Sequence, residues 1–144
     1  MEVRRLEIRE AEAADADEVF SLANQLDAAR EIERDAFDRV FPELIADDAS
    51  CCLVAATGEQ INGYVCGYSH LALHANGLMA YLDEMVVAEE LRHSGIGKQL
   101  VEGFESWAVE RGCGRAALAA AEAGPFYESL GYEQAGDHYE KRLR

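Results

Sequence analysis

YLDEMVVAEELRHSGIGKQL, residues 81–100, is the stretch on which the fold turns. Residues 79–87, MAYLDEMVV, are apolar and β-branched enough to form a strand. An acidic loop follows, and Arg92-His93-Ser94-Gly95-Ile96-Gly97 then opens a helix over 96–111. On that helix Leu100, Val101, Phe104, Trp107 and Ala108 share one face, and Gly112 is its stop. The N–H groups of a helix start have no partner inside the helix. They carry partial positive charge and favour anions, phosphate above all. Gly95 and Gly97 have no Cβ, so the backbone can approach a pyrophosphate closely. Arg92, His93 and Lys98 add positive groups within a short span of an otherwise acidic chain. A dinucleotide fingerprint would need a third glycine where Leu100 stands. A P-loop would need Gly in place of Arg92 and Ser or Thr in place of Gln99. Taken alone, R-x-x-G-x-G also fits an ordinary tight turn before a helix.

Outward from this segment, residues 3–9, VRRLEIR, alternate as a first strand. Asp15 precedes Glu18 at capping-box spacing, which predicts a helix over 16–28. A second helix is predicted over 30–41, with Ile32, Ala36 and Val40 on one face. Pro42 should stop or kink it, with a further turn at 43–46. CCLVAAT at 51–57 and INGYVCGYSHL at 61–71 flank a short Gly-containing turn and read as a hairpin. His74-Ala75-Asn76-Gly77 marks the next turn. Residues 115–119 read as a strand, and Gly124-Pro125 opens a short helix, Phe126–Leu130, ended by Gly131. The tail, 132–143, is expected to add one or two antiparallel strands. The order β-α-α-β-β-β-α-β-α-β predicts an α/β (α+β) fold, a mixed sheet with helices on both faces.

The chain has 144 residues and 49% apolar content, which suits one domain, 1–144, with a core of its own. A formal net charge of −15 argues against nucleic acid, whose phosphates need a basic surface. It is compatible with a cationic partner, and equally with a solvated acidic surface that aids solubility. No apolar run approaches the roughly 20 residues of a membrane span. The charged start, MEVRRLEIRE, does not read as a secretion signal, so a cytoplasmic protein is expected. Cys51, Cys52, Cys66 and Cys113 match no zinc spacing and are expected as reduced thiols packed like small hydrophobes. His70 and His74 lie on a predicted strand end and loop, where solvated or core-edge histidines are expected and no metal site.

VVAEELRHSGIG (86–97) and AGPFYESLGYE (123–133) together resemble the two signature regions of the GNAT N-acetyltransferase superfamily. The first looks like that family's acetyl-CoA pyrophosphate loop, the second like its late helix with a tyrosine. The likeness is strong over residues 78–133, and residues 8–28 are similar to the family's start. Two departures stand out. Alanines occupy 119–121, where many members carry an Asn, and His93-Ser94 replaces a more usual Arg/Gly-rich pair.

The resemblance implies an acyl-CoA-dependent N-acetyltransferase that takes acetyl-CoA as cosubstrate. Its contacts would come from Met85, Val86 and Val87, from Arg92, His93, Ser94, Gly95, Ile96, Gly97 and Lys98, and from Phe126. It implies a sheet splayed between the strands at 81–87 and 115–119, with a bulge around Met85–Val87 leaving N–H groups free for pantetheine and an oxyanion. Tyr127 would protonate the leaving thiolate. Asp83 and Glu84 face opposite sides of a strand, and either, or a water, can serve as base, with Glu84 favoured. Direct attack by the amine is preferred to a covalent intermediate on Cys66 or Cys113, since no histidine pairing is readable. The acceptor pocket is expected among residues 25–48 and the hairpin tip, whose acids suit a small cationic amine of polyamine or aminoglycoside type. A protein lysine or N-terminus is the alternative acceptor. A non-catalytic CoA-binding regulatory module and an acidic interaction domain are the alternative functions. Dimers are common in the family, so a homodimer is an expected assembly.

Overall fold

The computed structural model describes residues 5–26, 31–120 and 123–143. Val3, Arg4, Ala121 and the stretch 27–30, which includes Asp27 of the expected acceptor region, lie outside the described residues. Five strands form one sheet in the order β1-β2-β3-β4-β5. They are β1 Leu6–Glu10, β2 Ser50–Thr57, β3 Gln60–Ala72, β4 Gly77–Val87 and β5 Arg115–Leu118. Neighbours from β1 to β4 are antiparallel, and β5 joins β4 in parallel. Helices α1, Ala16–Ala23, and α2, Arg34–Ala46, cover one face; α3, Ile96–Glu110, and α4, Gly124–Ser129, cover the other. This is the mixed sheet with helices on both faces that the residue pattern predicts, and mostly antiparallel as in a GNAT-like arrangement.

Alternation along the strands feeds two cores. Cys52, Val54 and Ala56 of β2 meet α1 and α2, while Cys51 and Ala55 meet the α3 side. The α3 face is held close to the sheet by missing side chains on β3. A Cβ on Gly67 would lie 2.4 Å from the Phe104 ring and 2.4 Å from the Tyr81 carbonyl oxygen. Leu100, one turn before Phe104, lies against Gly63 in the same way. The two fully buried side chains thus drop into a glycine groove, and that seat fixes where the start of α3 points.

Several boundaries differ from the sequence reading. Described helix in α1 ends at Ala23, short of 28. Asp15 and Glu18 form no capping box across the start of α1. The Asp15 carboxylate instead takes Arg9 Nη1 at 2.9 Å, Arg9 Nη2 at 3.0 Å and the Glu12 N–H at 2.8 Å. The Arg9 guanidinium holds it below the usual carboxylate range. Glu18 accepts the Ile61 N–H at 2.7 Å and so ties α1 to the start of β3. Helix α2 begins at Arg34 and runs through Pro42 to Ala46, absorbing the separate turn expected there. Phe37, Phe41, Leu44 and Ile45 pack on the sheet from both sides of the proline, and this shared burial outweighs one lost helical hydrogen bond. The tail forms no strand among residues 132–143. Tyr132 packs back onto Tyr127 and bonds Glu105 at 2.8 Å, while Tyr139 and Leu143 stay exposed and supply no buried alternation.

Replacing Gly67 with Ala forces Phe104 or β4 to move. We expect a loss of about 2 kcal/mol, typical of overpacking a tight core, read as a lower urea midpoint with unchanged slope. An unaltered midpoint would show that α3 does not depend on this seat.

Candidate active site

Strand β4 carries an irregularity that decides the geometry. Cys66 faces Glu84 across the ladder and the next residue, Gly67, faces Leu82, so Asp83 is an extra residue. An extra residue shifts the alternation by one. Ala80 and Leu82 point to α3, and so do Met85 and Val87 beyond the bulge; Glu84 and Val86 point to α1 and α2. The bulge expected at Met85–Val87 thus sits two residues earlier, at Asp83, where β4 is still paired with β3 on one side.

The splay is present. Pairing of β4 with β5 runs from Met79↔Arg115 to Leu82↔Leu118 and stops. Past Leu82 the edge of β4 that faces β5 has no ladder partner among the described residues. The opening begins at the bulge, so the strand changes face and loses its neighbour at the same point.

At the far end of that open edge lies the turn into α3. Gly95 is left-handed, φ +90°, and a side chain there would meet open space. His93 is also left-handed, φ +66°. Gln99 is the first residue to donate an α-helical bond, to Gly95 O at 3.2 Å. The Ser94 N–H closes the turn over Arg92 and His93, while no N–H from Gly95 to Lys98 has an acceptor among the described residues. Gly97 lies in van der Waals range of Phe126, Met85 and Val87, at 3.4 Å, 3.5 Å and 3.7 Å from an ideal Cβ position. The loop, the open strand and α4 therefore converge on one cleft, and its shape and free donors fit a phosphate-bearing tail that continues along a strand edge.

The other expected contacts divide. Arg92 turns its Nε to Val87 O at 3.4 Å, Ser94 Oγ caps Leu91 O, and Lys98 lies 3.9 Å from Glu102. All three side chains, with His93, are exposed. Ile96 is a core residue under α3, so only its N–H faces outward chemistry. Val86 is buried on the opposite face, among α1 and α2 residues. Tyr127 is buried on the α3 side beside Phe126, ring centroids 5.0 Å apart, and burial raises its phenol pKa. Its hydroxyl has no hydrogen bond among the described residues, which leaves it free to donate.

On the α1/α2 face the structure holds a cavity of about 210 Å³ between α2 and the sheet. Val19, Phe37, Val40, Phe41 and Leu44 form its walls, and Tyr64, Cys66 and Glu84 its floor. Glu84 accepts a hydrogen bond from the Tyr64 hydroxyl at 2.9 Å. Burial raises the Glu84 pKa, the Tyr64 bond partly opposes this, and the Asp83 charge adds to the rise. Asp83 is exposed and does not share the cavity. The sequence reading missed Tyr64, which lies opposite Val86 and reaches Glu84 diagonally; its place two residues before Cys66 on the same face of an alternating strand was the available signal. The acids expected to line this region, Glu31, Glu33, Asp35, Asp38, Glu43, Asp47 and Asp48, are all exposed, and none lines the cavity.

The cysteines are free thiols. Cys66 donates to Cys52 at 3.2 Å; that contact and burial push its thiol far above the usual range. A thiol so held is a poor nucleophile. His70 packs at a tilt against Tyr68 and His74 lies in a turn, and no cluster that could hold a metal occurs among the described residues.

The model of the acetyltransferase (GNAT) family matches residues 12–132. No curated protein matches the chain in sequence. Among solved structures, a transcriptional regulator from Bacillus halodurans C-125 is similar with a TM-score of 0.87 at 26% identity, over 96% of this chain and 100% of that one. Glucosamine-6-phosphate N-acetyltransferase from Arabidopsis thaliana gives a TM-score of 0.83 at 23% identity, over 97% and 99% of the two chains. An aminoglycoside N-acetyltransferase in complex with CoA gives 0.85 at 19%, over 98% and 96%. The last two likenesses speak for the fold alone. With the family's model matched over residues 12–132, most of its length, this chain belongs to the GNAT acetyltransferase family.

Proposed function

We propose that the protein transfers the acetyl group of acetyl-CoA to a primary amine by direct attack, as a cytoplasmic enzyme without a metal. The observation that carries this reading is the run of unpartnered N–H groups from Gly95 to Lys98 at the end of the open β4 edge. The loop would take the diphosphate, with Arg92 and Lys98 as nearby cations. Pantetheine would follow β4 past Met85 and Val87, under Phe126. The amine would approach from the cavity side, next to Glu84.

In the reaction the amine nitrogen forms a bond to the thioester carbon and the carbon–sulfur bond breaks. The carbonyl oxygen gains charge on the way, and free N–H groups on the β4 edge are suited to stabilise it. An alkylammonium must first lose a proton, its pKa being near ~10. Glu84, anchored by Tyr64 and raised by burial, is suited to accept that proton directly or through water. Tyr127 is suited to give one to the departing thiolate, since its raised pKa keeps the phenol neutral. A role for Cys66 as an acyl carrier is disfavoured by its burial and its suppressed thiolate.

Three outcomes test this reading. Gly95→Val imposes a β-branched side chain on a left-handed residue without filling any contact. It should weaken acetyl-CoA binding at least tenfold by calorimetry, and undiminished affinity would remove the loop from the site. Tyr127→Phe should lower kcat about a hundredfold with little change in KM for acetyl-CoA, the range of a lost general acid; an unchanged kcat across pH would exclude it as the acid. Glu84 works ionised, and its pKa is raised, so kcat/KM should climb with pH through a range above that of an ordinary carboxylate. Glu84→Gln should abolish that limb and leave only the titration of the amine itself. Persistence of the limb in the variant would assign it to another group.

A further inference from the structure

The cavity beside Glu84 specifies more than an amine. Its walls come from both helices and are apolar: Val19 from α1, and Phe37, Val40, Phe41 and Leu44 from α2. Phe37 and Phe41 stack, with ring centroids 5.1 Å apart and planes 13° from parallel, and give the cavity a flat aromatic side. Among its lining residues Glu84 is the one carboxylate. Phe41 is 4% exposed and Val40 59%, so the cavity runs from a closed end in the core to an open mouth on α2.

A ligand charge taken into such a place must find a partner or keep its water. Burial of an unpaired ammonium is costly. The cavity offers one partner. A polyamine or aminoglycoside would bring further ammonium groups against Phe37, Phe41 and Leu44, where no carboxylate awaits them among the described residues. The exposed acids of α2 do not help, because Asp38 is committed to Arg34 at 2.8 Å and none of the others reaches the lining. An apolar body gains by leaving water there. The size also fits: an apolar cavity of roughly 150 Å³ already holds benzene, and about 210 Å³ leaves room for a short chain besides.

We infer that the acceptor is a primary amine on a single apolar body, a ring on a short chain or a branched alkyl group, seated between α2 and the sheet with its nitrogen on Glu84. This rests on the acetyltransferase reading above. It replaces the polycation suggested by net charge with a monocation chosen by its hydrophobic part. Val40 at the mouth, with Phe37 and Phe41 inside, then sets the specificity.

The test uses thiol release from acetyl-CoA with four amines, phenethylamine and isoamylamine against spermidine and kanamycin, alongside the melting shift each causes. Expected is a kcat/KM for the two apolar amines at least tenfold above the polycations. Val40→Glu, at an exposed position where folding tolerates change, should cut the phenethylamine kcat/KM at least tenfold while leaving acetyl-CoA affinity intact. Polycations acetylated as well or better would overturn the inference and leave the acetyltransferase reading standing, as would a Val40→Glu protein that handles phenethylamine normally. If none of the four releases thiol, yet phenethylamine raises the melting temperature and Val40→Glu abolishes the rise, the transferase reading falls and the cavity assignment stands. No thiol release and no melting shift would overturn both.

Discussion

A single surplus residue in β4 governs how the two halves of the site meet. Regular alternation from Leu82 would send Glu84 to the α3 face, into the cluster with Phe104 and Leu100. Asp83 interrupts it, and Glu84 emerges on the α1/α2 face within 2.9 Å of the Tyr64 hydroxyl. The same shift returns Met85 and Val87 to the α3 side, against Gly97 and Phe126. One strand can thus present a carboxylate to a cavity on one face and a smooth apolar edge to a cleft on the other. Extra residues of this kind strengthen local twist as well as reversing the pleat, which suits a strand about to leave its neighbour.

That departure is the second half of the constraint. A parallel neighbour that stopped further along would cover the N–H groups beyond Leu82. β5 is only four residues long and ends opposite Leu82. The anchoring of α3 by Phe104 in the Gly67 groove keeps the helix start at the mouth of this opening. Free backbone donors at the helix start and along the strand edge are then a property of the sheet's topology, held in place by packing and not by the loop's own side chains. This explains why Arg92, Ser94 and Lys98 can occupy themselves with Val87, Leu91 and Glu102 without closing the site.

The legible parts of the sequence were those encoded locally. Gly95 and Gly97 before an amphipathic run announce a turn and a helix start whatever surrounds them, and the strands around Gly58 and Asn76 are bracketed by turn residues. The resemblance puts the bulge at Met85–Val87, and MVV after Asp-Glu reads as apolar in either register, so only the pairing with Cys66 and Gly67 reveals the shift to Asp83. Pro42 signalled a break that burial of Phe41 and Leu44 overrides. The tail's alternation suggested strands, yet Tyr139 and Leu143 have nothing to cover them. The acids of 25–48 read as a lining from charge alone, yet Asp35, Asp38 and Glu43 stand on the outer surface of α2, Glu31, Glu33, Asp47 and Asp48 flank it, and the phenylalanines face inward. A charge count registers every residue of a helix equally, whereas a cavity meets only one side of it.

Surface charge and cavity chemistry consequently do different work. Fields from exposed carboxylates are screened over about 8 Å at physiological salt, and they act on encounter more than on the bound state. A chain of formal charge −15 draws any cation towards it, mono- or polyvalent, and its exposed acids on α2 stand near the mouth at Val40. Once inside, an ammonium is judged by what replaces its water. Glu84 can replace it for one nitrogen, and the rings of Phe37 and Phe41 offer the remainder of the molecule a dry surface. Selection on the apolar part follows because attraction at the rim is indifferent to the body that carries the charge, while burial is not.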